Sequence, residues 1–137
     1  MIKEHLYKEI IRKVPILCID LVLKNHLKQF LLVKRNNEPL AGKWWVSGGR
    51  VFIEETVQEA VYRIAYEEVG LHLKNISFIG YYDNTFNENM FEDKVKYKTV
   101  SLVFESKIDK MDIVIIDDQS SAYKWSKTLP SSFIINT

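Results

Sequence analysis

The residues best suited to chemistry lie in one stretch, residues 48–71, where carboxylates and an arginine follow a pair of glycines. Glu59, Arg63 and Glu67 stand four residues apart, so they would share one face of a helix. A guanidinium can form two parallel hydrogen bonds to a carboxylate and thereby fix its orientation. We therefore predict that Arg63 pairs with the carboxylates on either side of it and organises a site.

Glu68 has a different predicted environment from its neighbours. It continues an apolar row formed by Val57, Val61 and Ile64, which directs its carboxylate toward the packed side of the helix. Mg²⁺ prefers oxygen ligands, keeps several waters and bridges to phosphates, so one or two protein carboxylates are enough to hold it. We predict that Glu68 binds this cation, and the backbone carbonyl of Gly48 can supply a second oxygen.

Each of these residues also has a purely structural interpretation. Glu67 and Glu68 before Gly70 are typical of a solvated helix end with a glycine cap. A carboxylate such as Glu55 is favourable near a helix N-terminus without any further role. Arg50, directly after the glycines, is either a phosphate contact or a surface residue. Only the combination favours a catalytic site, with Arg63, Glu67 and Glu68 as its candidate catalytic residues.

The helix that would carry these groups is strongly specified by the sequence. Thr56 and Glu59 form the pattern of a capping box, which predicts a helix start near Val57. Apolar residues then recur at helical spacing, and Gly70 predicts the end. The paired glycines before the helix permit a close backbone approach that a side chain would block.

The remaining segments predict one more helix and several strands. Residues 2–13 have the spacing of an amphipathic helix, and the β-branched run Ile16–Leu23 predicts a strand. Further strands are predicted at residues 29–33, 44–46, 76–82, 97–105, 113–116 and 122–125, with loops at residues 36–43 and 83–96. Strands outnumber helices, so we expect a single α+β domain over residues 1–137, with helices packed on a mixed sheet.

Composition narrows the classes of function. The chain has 19 basic and 18 acidic residues, so it lacks the basic excess with which proteins bind duplex nucleic acid. Its single cysteine, Cys18, excludes an intramolecular disulfide. The N-terminus is charged, and no segment is long and apolar enough for a signal peptide or a membrane span. We therefore expect a cytoplasmic protein with a small-molecule ligand and neither nucleic acid nor membrane as a partner.

Residues 49–71 resemble the Nudix box, G-x5-E-x7-R-E-U-x-E-E-x-G-U, in which U is aliphatic. Six residues match it: Gly49, Glu55, Arg63, Glu67, Glu68 and Gly70. The glutamate expected after Arg63 is replaced by Ile64.

Beyond the box, the chain is similar to the GDP-mannose mannosyl hydrolases, in which the residue after the arginine is also non-acidic. The similar stretches are residues 30–35, Pro39, Gly42, Trp45, residues 48–51, residues 117–119 and residues 123–125. Members of that family continue into a C-terminal helix, which this chain lacks after Pro130. We therefore expect apolar surface to be exposed there or covered by a dimer partner.

The resemblance implies a Nudix fold, an α/β/α sandwich, assembled as a homodimer. It implies one Mg²⁺ ion, with Mn²⁺ as the alternative, held by the carbonyl of Gly48, the carboxylate of Glu68 and the side-chain oxygen of Gln119. It also implies that Tyr7 and Arg35 bind the nucleotide part of the substrate. Core packing of the first helix explains Tyr7 equally well.

Two reaction routes follow from the resemblance. In the GDP-mannose mannosyl hydrolases water attacks the anomeric carbon of the sugar, with inversion, and GDP and a free hexose leave, whereas in most Nudix enzymes water attacks phosphorus. The first route uses a histidine base directly after the glutamine, where this chain has Ser120, which has no useful basicity near neutral pH. Glu67, which enzymes of the second route use at metals, favours attack at phosphorus.

The sequence thus leaves three functions open: a GDP-sugar hydrolase acting at carbon, a pyrophosphohydrolase acting at phosphorus, and a nucleotide-sugar binder that has lost catalysis. The base of the reaction is also open. Asp83, Asp117 and Asp118 are either substitutes for the missing histidine or solvated loop carboxylates.

Overall fold

The structure, a computed structural model, describes residues 2–36, 41–90 and 93–137. It has two helices, α1 (Glu4–Lys13) and α2 (Val57–Val69). The strands are β1 (Ile16–Lys24), β2 (Phe30–Arg35), β3 (Trp44–Trp45), β4 (Ser47–Arg50), β5 (Ser77–Met90), β6 (Asp93–Lys107) and β7 (Ser120–Ser126). Pro39, in the predicted loop after β2, lies outside the described residues.

All seven strands form one mixed sheet, as predicted. β1 pairs in parallel with β6, from Ile16 opposite Thr99 to Lys24 opposite Lys107. It also pairs antiparallel with β4 and, at its end, with β2. β5 and β7 pair antiparallel with β6 and β2 respectively. The strand with the strongest apolar run therefore lies in the interior of the sheet, where both of its faces are covered.

Helix α2 covers one face of the sheet and has the predicted ends. The Thr56 hydroxyl accepts a hydrogen bond from the Glu59 backbone N–H at 3.1 Å, and the Glu59 carboxylate accepts one from the Thr56 N–H at 2.9 Å. Gly70 ends the helix in the left-handed conformation, with φ 69°. The apolar row of the helix packs against alternate β1 residues, which are Ile19, Leu21 and Leu23.

The opposite face is covered by α1 and by the residues after β7. From α1, Ile11 packs against Ile16 and Tyr97. Phe133 is 6% exposed, and its ring centroid lies 5.4 Å from that of Trp45. The described residues after β7 contain no helix, and this tail covers part of the sheet through Phe133, whereas its neighbour Ile134 is 64% exposed. The α/β/α order is therefore present, with α1 and the tail as the second outer layer.

The predicted loop at residues 83–96 is wrong. β5 and β6 continue as a long hairpin whose pairing runs from Ser77 opposite Glu105 to Met90 opposite Asp93. Asp83, one of the candidate bases, therefore lies in a strand and pairs with Lys98 at 3.2 Å. A ribbon that extends past the core can carry polar residues on both faces, and this removes the apolar alternation by which a strand is predicted.

The predicted strand at residues 113–116 is also wrong. Instead of joining the sheet, this segment closes the C-terminal end of α2, whose last carbonyls need hydrogen-bond donors. The Ile115 N–H donates to the Val69 carbonyl at 2.9 Å, and the Asp117 N–H donates to the Glu68 carbonyl at 3.2 Å. The segment thus brings the backbone of Asp117 to that of Glu68. Within the described ranges, neither helix is long and apolar enough to cross a membrane.

Candidate active site

The glycine pair lies in β4, where Gly48 faces one side of the sheet and Gly49 faces the other. Gly48 is opposite Asp20 of β1, and a Cβ atom at Gly48 would lie 2.4 Å from the Ile19 carbonyl oxygen and 2.5 Å from Oδ1 of Asp20. Only glycine fits such a close approach. A Cβ atom at Gly49 would meet Ile64 at 3.3 Å on the other face. Ile64 is buried, and this explains why an apolar residue replaces the acidic one of the Nudix box.

A pocket of about 340 Å³ opens on the α2 face and is called the carboxylate pocket here. Its lining comprises Arg35, Gly48, Gly49, Arg63, Ile64, Glu67, Glu68, Asp117 and Gln119. The three sequence-predicted metal ligands, Gly48, Glu68 and Gln119, are therefore brought together. The candidate catalytic residues Arg63 and Glu67 line the same pocket.

Arg63 has the predicted organising geometry, but with a different partner. Its guanidinium donates two hydrogen bonds to Glu55, at 2.8 and 2.7 Å, one to Glu67 at 3.1 Å and one to the Arg50 carbonyl at 2.8 Å. The hydrogen bonds from Arg63 lower the pKa of Glu55. The predicted pairing with Glu59 is wrong, because the Glu59 carboxylate accepts the Thr56 N–H in the capping box.

Glu68 faces inward, as predicted. Burial, followed by the charge of Asp117, raises the pKa of Glu68 to about 7, although Arg35 and a hydrogen bond from the Gly48 N–H oppose this shift. Burial also raises the pKa of Asp117. Carboxylates that share a partly dry pocket repel one another when ionised, so a bound cation would relieve an existing electrostatic cost.

The donor set of this pocket fits a hard divalent cation. Glu68 supplies a carboxylate, Gln119 an amide oxygen and Gly48 a backbone carbonyl, all of them oxygen ligands that suit Mg²⁺. Within residues 2–36, 41–90 and 93–137, no three acidic, histidine or cysteine side chains are close enough to hold a metal by themselves. The cation would therefore combine few carboxylates with neutral oxygens and water, which is the usual arrangement for Mg²⁺ beside a phosphate.

A second cavity, of about 200 Å³, lies on the opposite face of the sheet and is called the sheet cavity here. All three sequence-predicted substrate-binding residues, Tyr7, Arg35 and Arg50, line it. Aromatic rings and polar groups from the strands complete the lining, among them Trp45, Tyr82, Asn84, Thr99 and Ser101. Arg35, Gly48 and Gly49 line both cavities.

Asp20 is the functional candidate that sequence reasoning missed. It lines the sheet cavity and is 8% exposed. Burial raises its pKa to about 7, while a hydrogen bond from the Ser101 hydroxyl and the charge of Arg35 oppose the rise. A carboxylate within the apolar run Ile16–Leu23 was the available signal, because an acidic residue is rarely buried in a strand without a partner or a function.

The proposed substitutes for the missing histidine lie in different places. Asp117 lines the carboxylate pocket, whereas Asp118 is exposed and its backbone carbonyl accepts a hydrogen bond from the Asn36 side chain at 2.9 Å. Ser120 begins β7 opposite Arg35. Asp83, paired with Lys98, is outside both cavities.

Comparison with known proteins identifies the family. A model of the NUDIX domain matches residues 14–127, which include β1, the glycine pair, α2 and β7. The chain belongs to the Nudix family. Its box residues and its α/β/α layers agree with this assignment.

Two curated proteins and one solved structure are similar to this Nudix chain. The low-salt glycan biosynthesis protein Agl8 of Haloferax volcanii is 34% identical over 118 residues, which cover 86% of this chain and 74% of the relative. The ADP-ribose pyrophosphatase of Methanocaldococcus jannaschii is 40% identical over 70 residues, 51% of this chain and 41% of the relative. The crystal structure of a MutT protein from Methanosarcina mazei Go1 superposes with a TM-score of 0.70 at 26% identity, covering 88% and 89% of the two chains.

The buried Asp20 and the half-buried Glu68 predict how the stability of this Nudix domain depends on pH. Asp20 and Glu68 both have a pKa of about 7 in the folded chain, above the ordinary values of 3.8 and 4.5. The folded state therefore binds more protons, so stability is full below pH 4 and is lost as the pH rises through about 7. In urea unfolding with a chelator present, we expect the free energy of unfolding to fall by on the order of 5 kcal/mol between pH 5 and 8, about half from each group.

Two controls accompany this measurement. Asp20→Asn and Glu68→Gln should each flatten the pH profile, because each removes one titrating group. Added Mg²⁺ should restore stability at pH 8 in the wild type but not in Glu68→Gln. A chelated wild-type protein equally stable at pH 5 and pH 8 would contradict the prediction.

Proposed function

We propose that this Nudix domain is a divalent-cation-dependent hydrolase of a nucleoside diphosphate sugar, with GDP-mannose or another GDP-hexose as substrate and GDP and the free sugar as products. The observation that carries the proposal is the pair of cavities whose linings share Arg35, Gly48 and Gly49. Such a site suits a nucleoside diphosphate sugar whose diphosphate lies beside Gly48 and Gly49, with the nucleoside and the sugar on either side of it. A cytoplasmic homodimer, as expected from the sequence, is part of the same proposal.

The carboxylate pocket supplies the diphosphate end of this site. Gly48, Glu68 and Gln119 would hold Mg²⁺, or Mn²⁺, which when bound stabilises negative charge on the departing diphosphate. Arg35 lines both cavities and adds a fixed positive charge to both. Arg63 holds the Glu67 carboxylate at 3.1 Å, so the acidic side of the pocket is oriented before a ligand enters.

The sheet cavity suits the sugar, so this proposal places Tyr7 and Arg35, which the resemblance assigns to the nucleotide part, beside the sugar instead. Trp45 and Tyr82 offer aromatic faces to the apolar side of a sugar ring, while Asn84 and Ser101 offer hydrogen bonds to its hydroxyl groups. Among the described residues that line this cavity, Asp20 is the one carboxylate. It therefore lies where attack on the anomeric carbon would need a base.

The reaction at carbon can be written with Asp20 as general base. Its carboxylate takes a proton from water, the water oxygen forms a bond to the anomeric carbon, and the bond from that carbon to the diphosphate oxygen breaks. The electron pair of the broken bond leaves with GDP. This assignment supplies the base that Ser120 does not provide.

The relatives support the substrate class and the alternative. Glycans are assembled from nucleotide-activated sugars, so likeness to a protein named for glycan biosynthesis supports a nucleotide-sugar substrate. The relative named ADP-ribose pyrophosphatase supports the second candidate function, attack of water at phosphorus. Glu67 and Asp117, which line the carboxylate pocket, favour that route because they lie on the diphosphate side.

The test is turnover of a panel of nucleotide sugars in ¹⁸O-labelled water, with Mg²⁺, with Mn²⁺ and with a chelator. We expect GDP and a hexose that carries the label, resolved by phosphorus NMR and mass spectrometry. Labelled GMP or labelled sugar 1-phosphate would instead support attack at phosphorus. Nucleotide binding without turnover would show that the protein binds nucleotide sugars but does not hydrolyse them. Turnover that the chelator does not affect would contradict the cation dependence.

A further inference from the structure

Four side chains form a stack at the end of β4 in which rings and cations alternate. The Arg50 guanidinium carbon lies 4.9 Å from the Tyr7 ring centroid and 5.5 Å from that of Phe52. The Arg63 guanidinium carbon lies 3.9 Å from the Phe52 ring centroid. Phe52 therefore contacts both guanidinium groups, and the stack runs from α1 to α2.

The two arginines of the stack belong to different cavities. Arg50 lines the sheet cavity and Arg63 lines the carboxylate pocket. Two like charges held near one ligand repel each other, and an aromatic ring in contact with both offsets this repulsion because its faces carry partial negative charge. Phe52 is thus placed to set the position of one cation relative to the other.

The anchoring of the two arginines differs. Arg63 is fixed by four hydrogen bonds, two of them to Glu55. Arg50 contacts the rings of Phe52 and Tyr7 and donates a hydrogen bond to the Tyr7 hydroxyl. Phe52 lies against the anchored guanidinium of Arg63, and its backbone N–H donates to the same Glu55 carboxylate at 2.8 Å. The Arg50 side chain is held by the rings of Phe52 and Tyr7.

Core packing does not account for this phenylalanine. Phe52 is 37% exposed and follows the glycine strand in an irregular segment. Its neighbour Ile53 is 95% exposed. Burial of apolar area therefore contributes less at Phe52 than at a core position. Phe52 differs from Ile53 both in its greater burial and in its contacts with the two guanidinium groups.

We propose that Phe52 is a positioning residue: its ring transmits the fixed position of Arg63 to Arg50, so that both cations meet a diphosphate lying across the two cavities. The identity of this ligand rests on the proposed function. The arrangement of the four stacked side chains does not rest on the proposed function. The ligand and the stack can therefore be tested separately.

The first test measures the affinity for GDP by isothermal titration calorimetry with Mg²⁺. Phe52→Leu keeps an apolar side chain but removes the ring, and we expect GDP to bind about 10-fold more weakly. Phe52→Tyr keeps the ring and should bind GDP within about twofold of the wild type. Ile53→Ala, on the same segment, is the matched control and should not change the affinity.

A double-mutant cycle separates positioning from local packing. If Phe52 acts through Arg50, adding Phe52→Leu to Arg50→Ala should change the affinity by less than about twofold. A loss that persists undiminished in the Arg50→Ala background would overturn the proposal. Equal losses for Phe52→Leu and Phe52→Tyr would do the same.

The second test needs no ligand. The Nε–Hε NMR signals of Arg50 and Arg63 should carry ring-current shifts in the wild type. Phe52→Leu should remove the shift of Arg63 and change that of Arg50, which also lies over the Tyr7 ring, whereas Phe52→Tyr should retain both. Failure of the wild type to bind GDP would count against the proposed function, and these signals would then decide whether the stack exists. Unchanged Arg50 signals in Phe52→Leu would overturn the inference even if nucleotide sugars are hydrolysed.

Discussion

Replacing Glu68 with glutamine is expected to lower cation-dependent turnover of the nucleotide sugar by at least about 10³-fold, because a ligand of the cation loses its charge and the cation supplies several kcal/mol of charge stabilisation. The side chain keeps its shape, so the fold should survive. Burial already raises the pKa of Glu68 to about 7, so the neutral amide should leave the cation-free protein at least as stable above that pH.

The control for this substitution is Glu54→Gln, which makes the same chemical change in the exposed segment before α2. Its turnover should equal that of the wild type. Mg²⁺ affinity, measured by calorimetry, should fall in Glu68→Gln and remain unchanged in Glu54→Gln. A fully active Glu68→Gln protein would show that the metal assignment is wrong.

Replacing Asp20 with asparagine is expected to lower kcat for hydrolysis at carbon by about 10²- to 10⁴-fold, which is the usual cost of removing a general base. The amide can still accept the hydrogen bond from Ser101, so the packing of the cavity should persist. The affinity for GDP should change little, since the charge removed lies in the cavity proposed for the sugar. Steady-state kinetics with product analysis measures both effects.

Asp83→Asn is the matched control for Asp20, because it neutralises a carboxylate outside both cavities. It removes an ion pair with Lys98 between side chains that are 44% and 45% exposed, and such pairs contribute little to stability. Its kcat should therefore remain that of the wild type. If Asp20→Asn retains full activity and releases GMP, the base lies in the carboxylate pocket and the reaction takes place at phosphorus.

The parts of this structure that the sequence predicted are those encoded within a few residues. The start of α2 follows from Thr56 and Glu59, its end from Gly70, and the inward direction of Glu68 from helical spacing. Strand β1 follows from its apolar run. Each of these features is determined by residues that are close together in the sequence, so it can be predicted without knowing the contacts between distant segments.

The remaining features depend on contacts between distant segments. Arg63 bonds to Glu55 across a turn because Glu59 already serves the helix cap, and helical spacing alone cannot reveal this competition. Residues of β5 and β6 form the walls of the cavity that Asp20 lines. Asp117 reaches the carboxylate pocket because its segment closes the end of α2 instead of joining the sheet. Residues 83–90 pair with residues 93–100 of β6, and this pairing overrides the polar composition of the segment.

The parallel pairing of β1 with β6 has a kinetic consequence. Ile16 lies opposite Thr99, so the chain must close a loop of 83 residues (99 − 16) before Asp20 can meet Ser101. Contacts so distant along the chain are slow to form, because the entropy of closure is lost before any pairing compensates for it. We therefore expect the walls of the sheet cavity to be among the last parts to assemble during folding, so any binding in that cavity would emerge only with the completed domain.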